Sequence, residues 1–243
     1  MKDTIYNLKE GNMSVGNRIY LRRNMPPKEI VDGFKQLPAS NVADCMGRSC
    51  AMDSSIHLMS SSKEFMYGVA ITVKARAGDN LFLHQAIEMA GEGDVIVVST
   101  GFGSPNSILG EIIILKARFK KLAGMVIDAP IRDIDAISKL DFPVYATGFT
   151  PGGPYKDGPG EINIPISCGN IAVNPGDIIL GDQDGVIVIP RTDAKAILEA
   201  SIPFSAKDAE KVSKASNGIW DNSWIMKKLN ENKVEVIDDC YNT

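Results

Sequence analysis

The sequence predicts an α/β protein, and three observations lead to that fold class. Of its 243 residues, 44% are hydrophobic and 23% are charged, which are the proportions of an ordinary globular protein. Short β-branched apolar runs alternate with helical stretches through the middle of the chain. The section that follows consists of short strands joined by tight turns, without crossover helices. We expect one domain spanning residues 1–243, since single α/β domains reach this length.

The first predicted element is a short helix. Pro26-Pro27 marks its start, and its apolar face is formed by Ile30, Phe34 and Leu37, which are spaced by four and three residues. The middle of the chain then alternates strand and helix, a pattern typical of α/β sheets. Its segments, beginning with a strand, are 69–73, 80–90, 95–98, 110–122 and 125–127.

The later predicted elements are mostly strands, at 143–146, 162–167, 171–173, 178–180 and 186–189. The loop 147–160 is long and rich in Gly and Pro, and it is either functional or a plain surface excursion. A helix is predicted from Thr192 to about Ser216. The tail after it carries Trp220 and Trp224, which predict a surface that packs on another body, such as a neighbouring subunit.

Composition also excludes several classes of protein. The chain has 26 basic and 30 acidic residues, a net charge of −4, and no Lys/Arg stripe, so we expect no direct nucleic-acid partner. Residues 1–8 lack the apolar segment of an export signal, and no apolar run approaches a membrane span. Four cysteines without a C-x-x-C pair are read as reduced thiols. These features predict a cytoplasmic protein without membrane contact.

Several familiar motifs are incomplete. Gly101 and Gly103 follow a strand as in a dinucleotide loop, but the third glycine is missing, which favours a tight turn. His84 has no second histidine close in sequence with which to share a metal, so a structural role is favoured. Lys74 and Lys156 leave a Schiff-base mechanism open, although lysines at strand ends are usually solvated.

The strongest constellation is Gly110-Glu111, followed after twenty residues by Arg132-Asp133. The first pair opens a helix, and the second lies just beyond the carboxyl end of the next strand, where α/β sheets gather ligands. We expect these positions to meet at one place.

That place would suit a small 2-oxo acid. The N–H groups at the helix start, from Glu111 through Ile112 to Ile113, can hold a carboxylate. The planar guanidinium of Arg132 can donate two hydrogen bonds to carboxylate or keto oxygens. The carboxylate of Asp133 can coordinate Mg²⁺ or Mn²⁺, which prefer oxygen ligands. Glu111 can orient a water for proton transfer. The spacing alone favours the alternative, a surface Arg-Asp pair that caps the next helix, because Arg-Asp dipeptides are common.

The segments around this constellation resemble the RraA-like family, which includes the class II 4-hydroxy-4-methyl-2-oxoglutarate and 4-carboxy-4-hydroxy-2-oxoadipate aldolases. The resemblance spans residues 41–190, and it rests on ten ordered blocks. Among them are Gly68-Val-Ala-Ile-Thr-Val73, Gly78-Asp-Asn-Leu81, Gly93-Asp-Val-Ile-Val97, Gly110-Glu111, Arg132-Asp133 and Pro175-Gly-Asp177.

The resemblance implies a β/β/α sandwich of the swivelling-domain type, with a core at about residues 40–190, assembled as a homotrimer or hexamer. It implies that Asp133 binds a divalent metal and that Arg132 binds the oxygens of pyruvate. It also implies that Glu111 orients the water that transfers the proton. Gly110, Ile112 and Ile113 would complete the substrate site. The implied activity is a metal-dependent lyase acting on a small 2-oxo acid, with oxaloacetate decarboxylation as a side activity. The alternative is a non-catalytic, protein-binding regulator of the ribonuclease E type.

Overall fold

The computed structural model describes residues 15–63, 65–101 and 103–241. Residues 1–8, in which we expect no export signal, and Phe102 of the predicted glycine turn lie outside the described residues. The helices are α1 (Lys28–Gly33), α2 (Ala39–Cys45), α3 (Leu81–Met89), α4 (Glu111–Phe119), α5 (Ile134–Ile137), α6 (Ala194–Ser216) and α7 (Ser223–Glu231). The strands are β1 (Asn17–Ile19), β2 (His57–Leu58), β3 (Met66–Ala75), β4 (Asp94–Ser99), β5 (Gly124–Ile127), β6 (Pro130–Ile131), β7 (Val144–Ala146), β8 (Gly148–Phe149), β9 (Gly160–Ile162), β10 (Ile166–Cys168), β11 (Ile171–Val173), β12 (Ile178–Asp182) and β13 (Gly185–Ile189).

The main sheet is mixed, and its centre is parallel. Its strand order is β1-β9-β3-β4-β5-β7-β2, and β3, β4, β5 and β7 run parallel to one another. The long strand β3 has two partners on its other side. Its second half pairs with β9, and its first half pairs with β12, which continues into β13. The predicted α/β fold class is confirmed.

Apolar side chains form three clusters that correspond to the layers of a β/β/α sandwich, the predicted fold class. One cluster lies between the main sheet and helices α3 and α4, and includes Leu83, Ile96 and Ile114. A second lies between the sheet and the β10–β11 hairpin, and a third joins β12 and β13 to α1, α2 and α6. Strand β4 is buried along its whole length, as its uninterrupted apolar run predicts.

One predicted strand is wrong. The segment 162–167 is divided between β9 and β10, because the chain turns at Asn163, which has φ of 57°, and Pro165 lies in the gap. Helix α2, which starts after Pro38, is an element that the sequence analysis did not include. Helix α6 matches its predicted span closely. Among the described residues, no helix combines the length and the apolar character that crossing a membrane requires.

Candidate functional site

A cavity of about 300 Å³ lies at the carboxyl edge of the parallel strands. Each of the four strands β3, β4, β5 and β7 is followed along the chain by a segment that lines the cavity. The walls come from Asn80 and His84 after β3, Leu109, Gly110, Ile112 and Ile113 after β4, Arg132 and Asp133 after β5, and Gly153, Pro154 and Lys156 after β7. This edge is where open α/β sheets bind ligands.

The predicted meeting of the α4 start with Arg132 and Asp133 is present. The Glu111 N–H donates to Asp133 Oδ2 at 3.0 Å, and Arg132 Nε lies 3.7 Å from the same oxygen. The backbone fixes this junction, because the Arg132 N–H donates to the Leu109 carbonyl at 2.9 Å. Both side chains are nearly half exposed, at 43% for Arg132 and 44% for Asp133, so a ligand in the cavity can reach them.

Asp133 has an unusual backbone. Its φ of 61° and ψ of 37° lie in the left-handed region, which among residues with side chains Asp and Asn tolerate best. Oδ1 of Asp133 accepts no hydrogen bond from any described residue, whereas Oδ2 is engaged. One oxygen is therefore available to a ligand.

The N–H groups at the helix start are not equivalent. The Glu111 N–H is taken by Asp133, and the Ile113 N–H donates to the Gly110 carbonyl at 3.1 Å. The Ile112 N–H has no partner among the described residues, and Ile112 lines the cavity. Ile113 also lines the cavity, whereas Glu111 is the first residue of α4 and its side chain lies outside the lining.

Gly110 is needed at its position because a side chain has no room there. Its φ of −141° is open to any residue, but a Cβ would lie 2.2 Å from Asp133 Oδ2 and 3.0 Å from Arg132 Cγ. The absence of a side chain therefore allows the helix start to approach the Arg-Asp pair.

We expect Gly110→Ala to displace the Asp133 carboxylate and break its bond to the Glu111 N–H. Gly91→Ala is the matched control, since its Cβ would meet only Asp94 Oδ2, at 3.8 Å. The expected difference in the free energy of unfolding between the two variants is about 1–2 kcal/mol, the control being the more stable. Urea denaturation measures it, and equal stabilities would contradict the packing described.

Two buried carboxylates outside the cavity lining hold the loops together. Asp79 accepts the N–H groups of Asp157 at 2.7 Å and Gly158 at 2.9 Å, which fixes the loop that carries Lys156. Asp128 accepts the N–H of Thr100 at 2.6 Å, and so joins the ends of β4 and β5. Burial raises the pKa of Asp128, although its hydrogen bonds act in the opposite direction.

The cavity carries more positive than negative charge. Arg132 and Lys156 line it, and Asp133 is the acidic residue in its wall. Burial lowers the pKa of His84, the charges of Lys156 and Lys116 lower it further, and Glu88 acts in the opposite direction, so the net shift favours the neutral imidazole. The cavity therefore suits an anionic ligand that also has uncharged oxygens able to form hydrogen bonds, such as keto or hydroxyl oxygens.

Asn80, His84 and Lys156 are wall residues that the sequence analysis did not assign to this site. The sequence favoured a structural role for His84 and offered Lys156 only as a Schiff-base candidate. Their common signal is their place in the segments that follow parallel strands, Asn80 and Lys156 in loops and His84 in helix α3. The loop 147–160, for which a functional role and a plain surface role were both open, supplies part of the wall.

Asp133 could hold a hard divalent cation. Mg²⁺ commonly takes one or two protein carboxylates and completes its shell with water and substrate oxygens, which a half-exposed carboxylate with an unbonded oxygen permits. Within the described residues, no group of three or more His, Cys, Asp or Glu side chains is placed to share a metal ion. The remaining ligands would therefore be water and substrate.

Comparisons with known proteins agree with the family resemblance seen in the sequence. The RraA-like family, described as Aldolase/RraA, matches residues 39–188. A protein of Halalkalibacterium halodurans named "Putative 4-hydroxy-4-methyl-2-oxoglutarate aldolase" is 33% identical over 191 residues, which cover 79% of this chain and 90% of that protein.

Two solved structures have the same fold. RraAS2 of Streptomyces coelicolor, described as an unusual member of the RNase ES inhibitor RraA protein family, has a TM-score of 0.67 at 24% identity, covering 81% of this chain and 99% of that one. The RNA-processing inhibitor RraA from Thermus thermophilis has a TM-score of 0.59 at 24% identity, covering 64% of this chain and 93% of that one. At this identity the likeness concerns the fold alone.

Proposed function

Because the chain belongs to the RraA-like family, we propose that it is a cytoplasmic, divalent-metal-dependent lyase that cleaves 4-hydroxy-2-oxo acids to pyruvate by retro-aldol chemistry. The observation that carries the proposal is the meeting of the α4 start with Arg132 and Asp133 at one cavity. An aldolase name among the relatives supports the reaction class. A surface Arg-Asp pair, the alternative that the spacing allowed, would not account for the cavity around it.

The substrate's oxo-acid end would lie at the start of α4. The free Ile112 N–H would bind a carboxylate oxygen, helped by the positive end of the helix dipole. Arg132 would grip the carboxylate or keto oxygen and stabilise the negative charge that develops when the carbon–carbon bond breaks. Lys156 adds positive charge to the same cavity, which favours a substrate with two or more carboxylates.

Asp133 would hold the divalent cation, Mg²⁺ or Mn²⁺, through its unbonded oxygen. When bound, such a cation polarises the keto oxygen of the substrate and stabilises negative charge on it. Arg132 lies beside Asp133, so the guanidinium acts on the same end of the substrate.

The reaction transfers one proton and breaks one carbon–carbon bond. A water that Glu111 orients would take the proton of the 4-hydroxyl group, C4 would become a carbonyl, and the electrons of the C3–C4 bond would form the enolate of pyruvate. Protonation at C3 then gives pyruvate. The side chain of Glu111 lies outside the cavity lining, so its action through a water fits its place at the start of α4. Loss of carbon dioxide from oxaloacetate gives the same enolate, so we expect decarboxylation as a side activity.

A homo-oligomer, trimer or hexamer, is part of the proposal. Helix α4 exposes an apolar stripe beside the cavity, formed by Ile112 at 81%, Leu115 at 42% and Phe119 at 90% exposure. Exposed apolar stripes of this kind are typical of subunit contacts. A second copy that covers the stripe would also close one side of the cavity, since Ile112 belongs to both.

We expect pyruvate release from 4-hydroxy-4-methyl-2-oxoglutarate and from oxaloacetate in the presence of Mg²⁺. A chelator should abolish turnover, and excess Mg²⁺ or Mn²⁺ should restore it, because the carboxylate of Asp133 supplies the metal site. Turnover that is indifferent to chelator and trapped by borohydride would indicate a lysine mechanism instead. No turnover together with ribonuclease E binding would favour the regulator.

A further inference from the structure

A second cavity, of about 440 Å³, shares no residue with the one at the strand ends. Its walls come from β1 and the segment after it, from the residues after β9, from the turn before β12 and from the residue that follows Pro190 after β13. Four arginines line it: Arg18, Arg22, Arg23 and Arg191. The chain contains eight arginines, so half of them meet here. No acidic residue is among the described residues that line this arginine cavity.

Three of the arginines are held from behind by buried carboxylates. Arg18 Nε lies 2.5 Å from Glu161 Oε1, and Arg23 Nη2 lies 2.5 Å from Asp94 Oδ2. Arg191 Nη1 lies 3.6 Å from Asp177. The three acids are 2%, 5% and 2% exposed, so each guanidinium is fixed in position by a partner outside the cavity.

This anchoring leaves donors for a ligand. Arg18 is held through Nε and Arg191 through Nη1, and within the described residues their remaining N–H groups make no hydrogen bonds. A planar guanidinium that is fixed at one edge loses little further conformational entropy when its other edge binds an oxyanion.

Arg22 supplies the net charge of the arginine cavity. In the described part of the chain Arg22 is exposed and makes no hydrogen bond or ion pair, whereas each of the other three arginines has a carboxylate partner. The four guanidinium groups and three carboxylates therefore leave one uncompensated positive charge on a protein whose overall charge is −4.

We propose that the arginine cavity binds a phosphate group, either as inorganic phosphate or on a small metabolite. Several guanidinium groups converge there, and together they offer more donors than the two oxygens of one carboxylate accept, whereas a phosphate presents three or four. All four arginines lie outside residues 39–188, whereas the wall residues 163–165 and 174–175 and the three anchoring carboxylates lie inside the family match. The positive charge of the site therefore comes from parts of this chain beyond that match.

The test is calorimetric titration of the full chain with inorganic phosphate and with glycerol 3-phosphate at constant ionic strength. We expect binding of at least one of them to the wild type, and at least a ten-fold loss of affinity in Arg22→Ala. This variant removes no contact of the fold, because Arg22 makes no bond to the described residues. Arg191→Gln, which removes the charge and keeps a polar side chain, should weaken binding as well. Tighter binding of the ester would identify a metabolite, and tighter binding of the free anion would identify phosphate itself.

Two controls keep the test specific. Arg48→Ala removes an exposed arginine that pairs with Asp44 elsewhere, and it should bind phosphate as the wild type does. Arg132→Ala should also retain binding, because Arg132 belongs to the other cavity. The proposal is overturned if the wild type binds neither compound, if Arg22→Ala and Arg48→Ala have the same affinity, or if Arg132→Ala alone abolishes binding.

Discussion

Asp133→Asn is expected to lower kcat/KM for pyruvate release about 10³-fold, which corresponds to ~4 kcal/mol of lost transition-state stabilisation. Asparagine keeps the shape of the side chain, tolerates the left-handed backbone at φ of 61°, and can still accept the Glu111 N–H. The variant should therefore fold normally. What it loses is the negative charge that would hold the divalent cation.

The measurement is the rate of pyruvate release against Mg²⁺ concentration, with Asp135→Asn as the matched control. Asp135 is exposed, lies two residues further along in α5, and does not line the cavity, so its substitution should change the rate less than two-fold. If Asp133→Asn keeps more than a tenth of the wild-type rate at every Mg²⁺ concentration, the metal site is misplaced.

Arg132→Lys is expected to lower kcat/KM about 10²-fold, even though the charge is conserved. The guanidinium reaches the cavity between Asp133 and Gly153, and a Cβ at Gly153 would lie only 3.0 Å from Arg132 Nη1. A lysine ammonium cannot bind two oxygens in the plane of the guanidinium fork. Because the lost contact strengthens as charge develops, we expect a fall in kcat larger than the rise in KM.

Arg118→Lys provides the control for this change. Arg118 is an exposed residue near the end of α4, away from the cavity, so the same substitution there should leave both kinetic constants unchanged. An effect confined to KM in Arg132→Lys would mean that Arg132 binds substrate without stabilising the transition state.

The central strands were predictable because their local signal and their final environment agree. Strands β4 and β5 are short, apolar and β-branched, and the structure buries them completely. The segment 162–167 has a β-branched Ile at every second position, but Asn163 adopts a left-handed conformation that this alternating pattern does not reveal. Helix α2 has seven residues and buries only the small side chains Ala39 and Val42, so its periodic apolar signal is weak.

The candidate site likewise contains residues that the sequence could predict and residues that it could not. Gly110 and the Arg132-Asp133 pair were predictable as neighbours, because adjacent parallel strands end at one edge of the sheet. Lys156 was not, since its place depends on Asp79, which lies in a different loop and binds two N–H groups of the segment that follows Lys156. Such a contact between distant loops leaves no periodic trace in the sequence.

Strand β1 has a practical consequence for shortened forms of the protein. It covers the outer edge of β9, the strand that receives the chain from the Lys156 loop, yet it precedes the family match at residue 39. A fragment cut at that boundary would present β9 as an uncovered edge, which invites self-association by strand addition. Expression and crystallisation trials should therefore retain the residues from Asn17 onward, and inclusion bodies from a fragment starting at residue 39 would reflect the exposed edge, not a weak core.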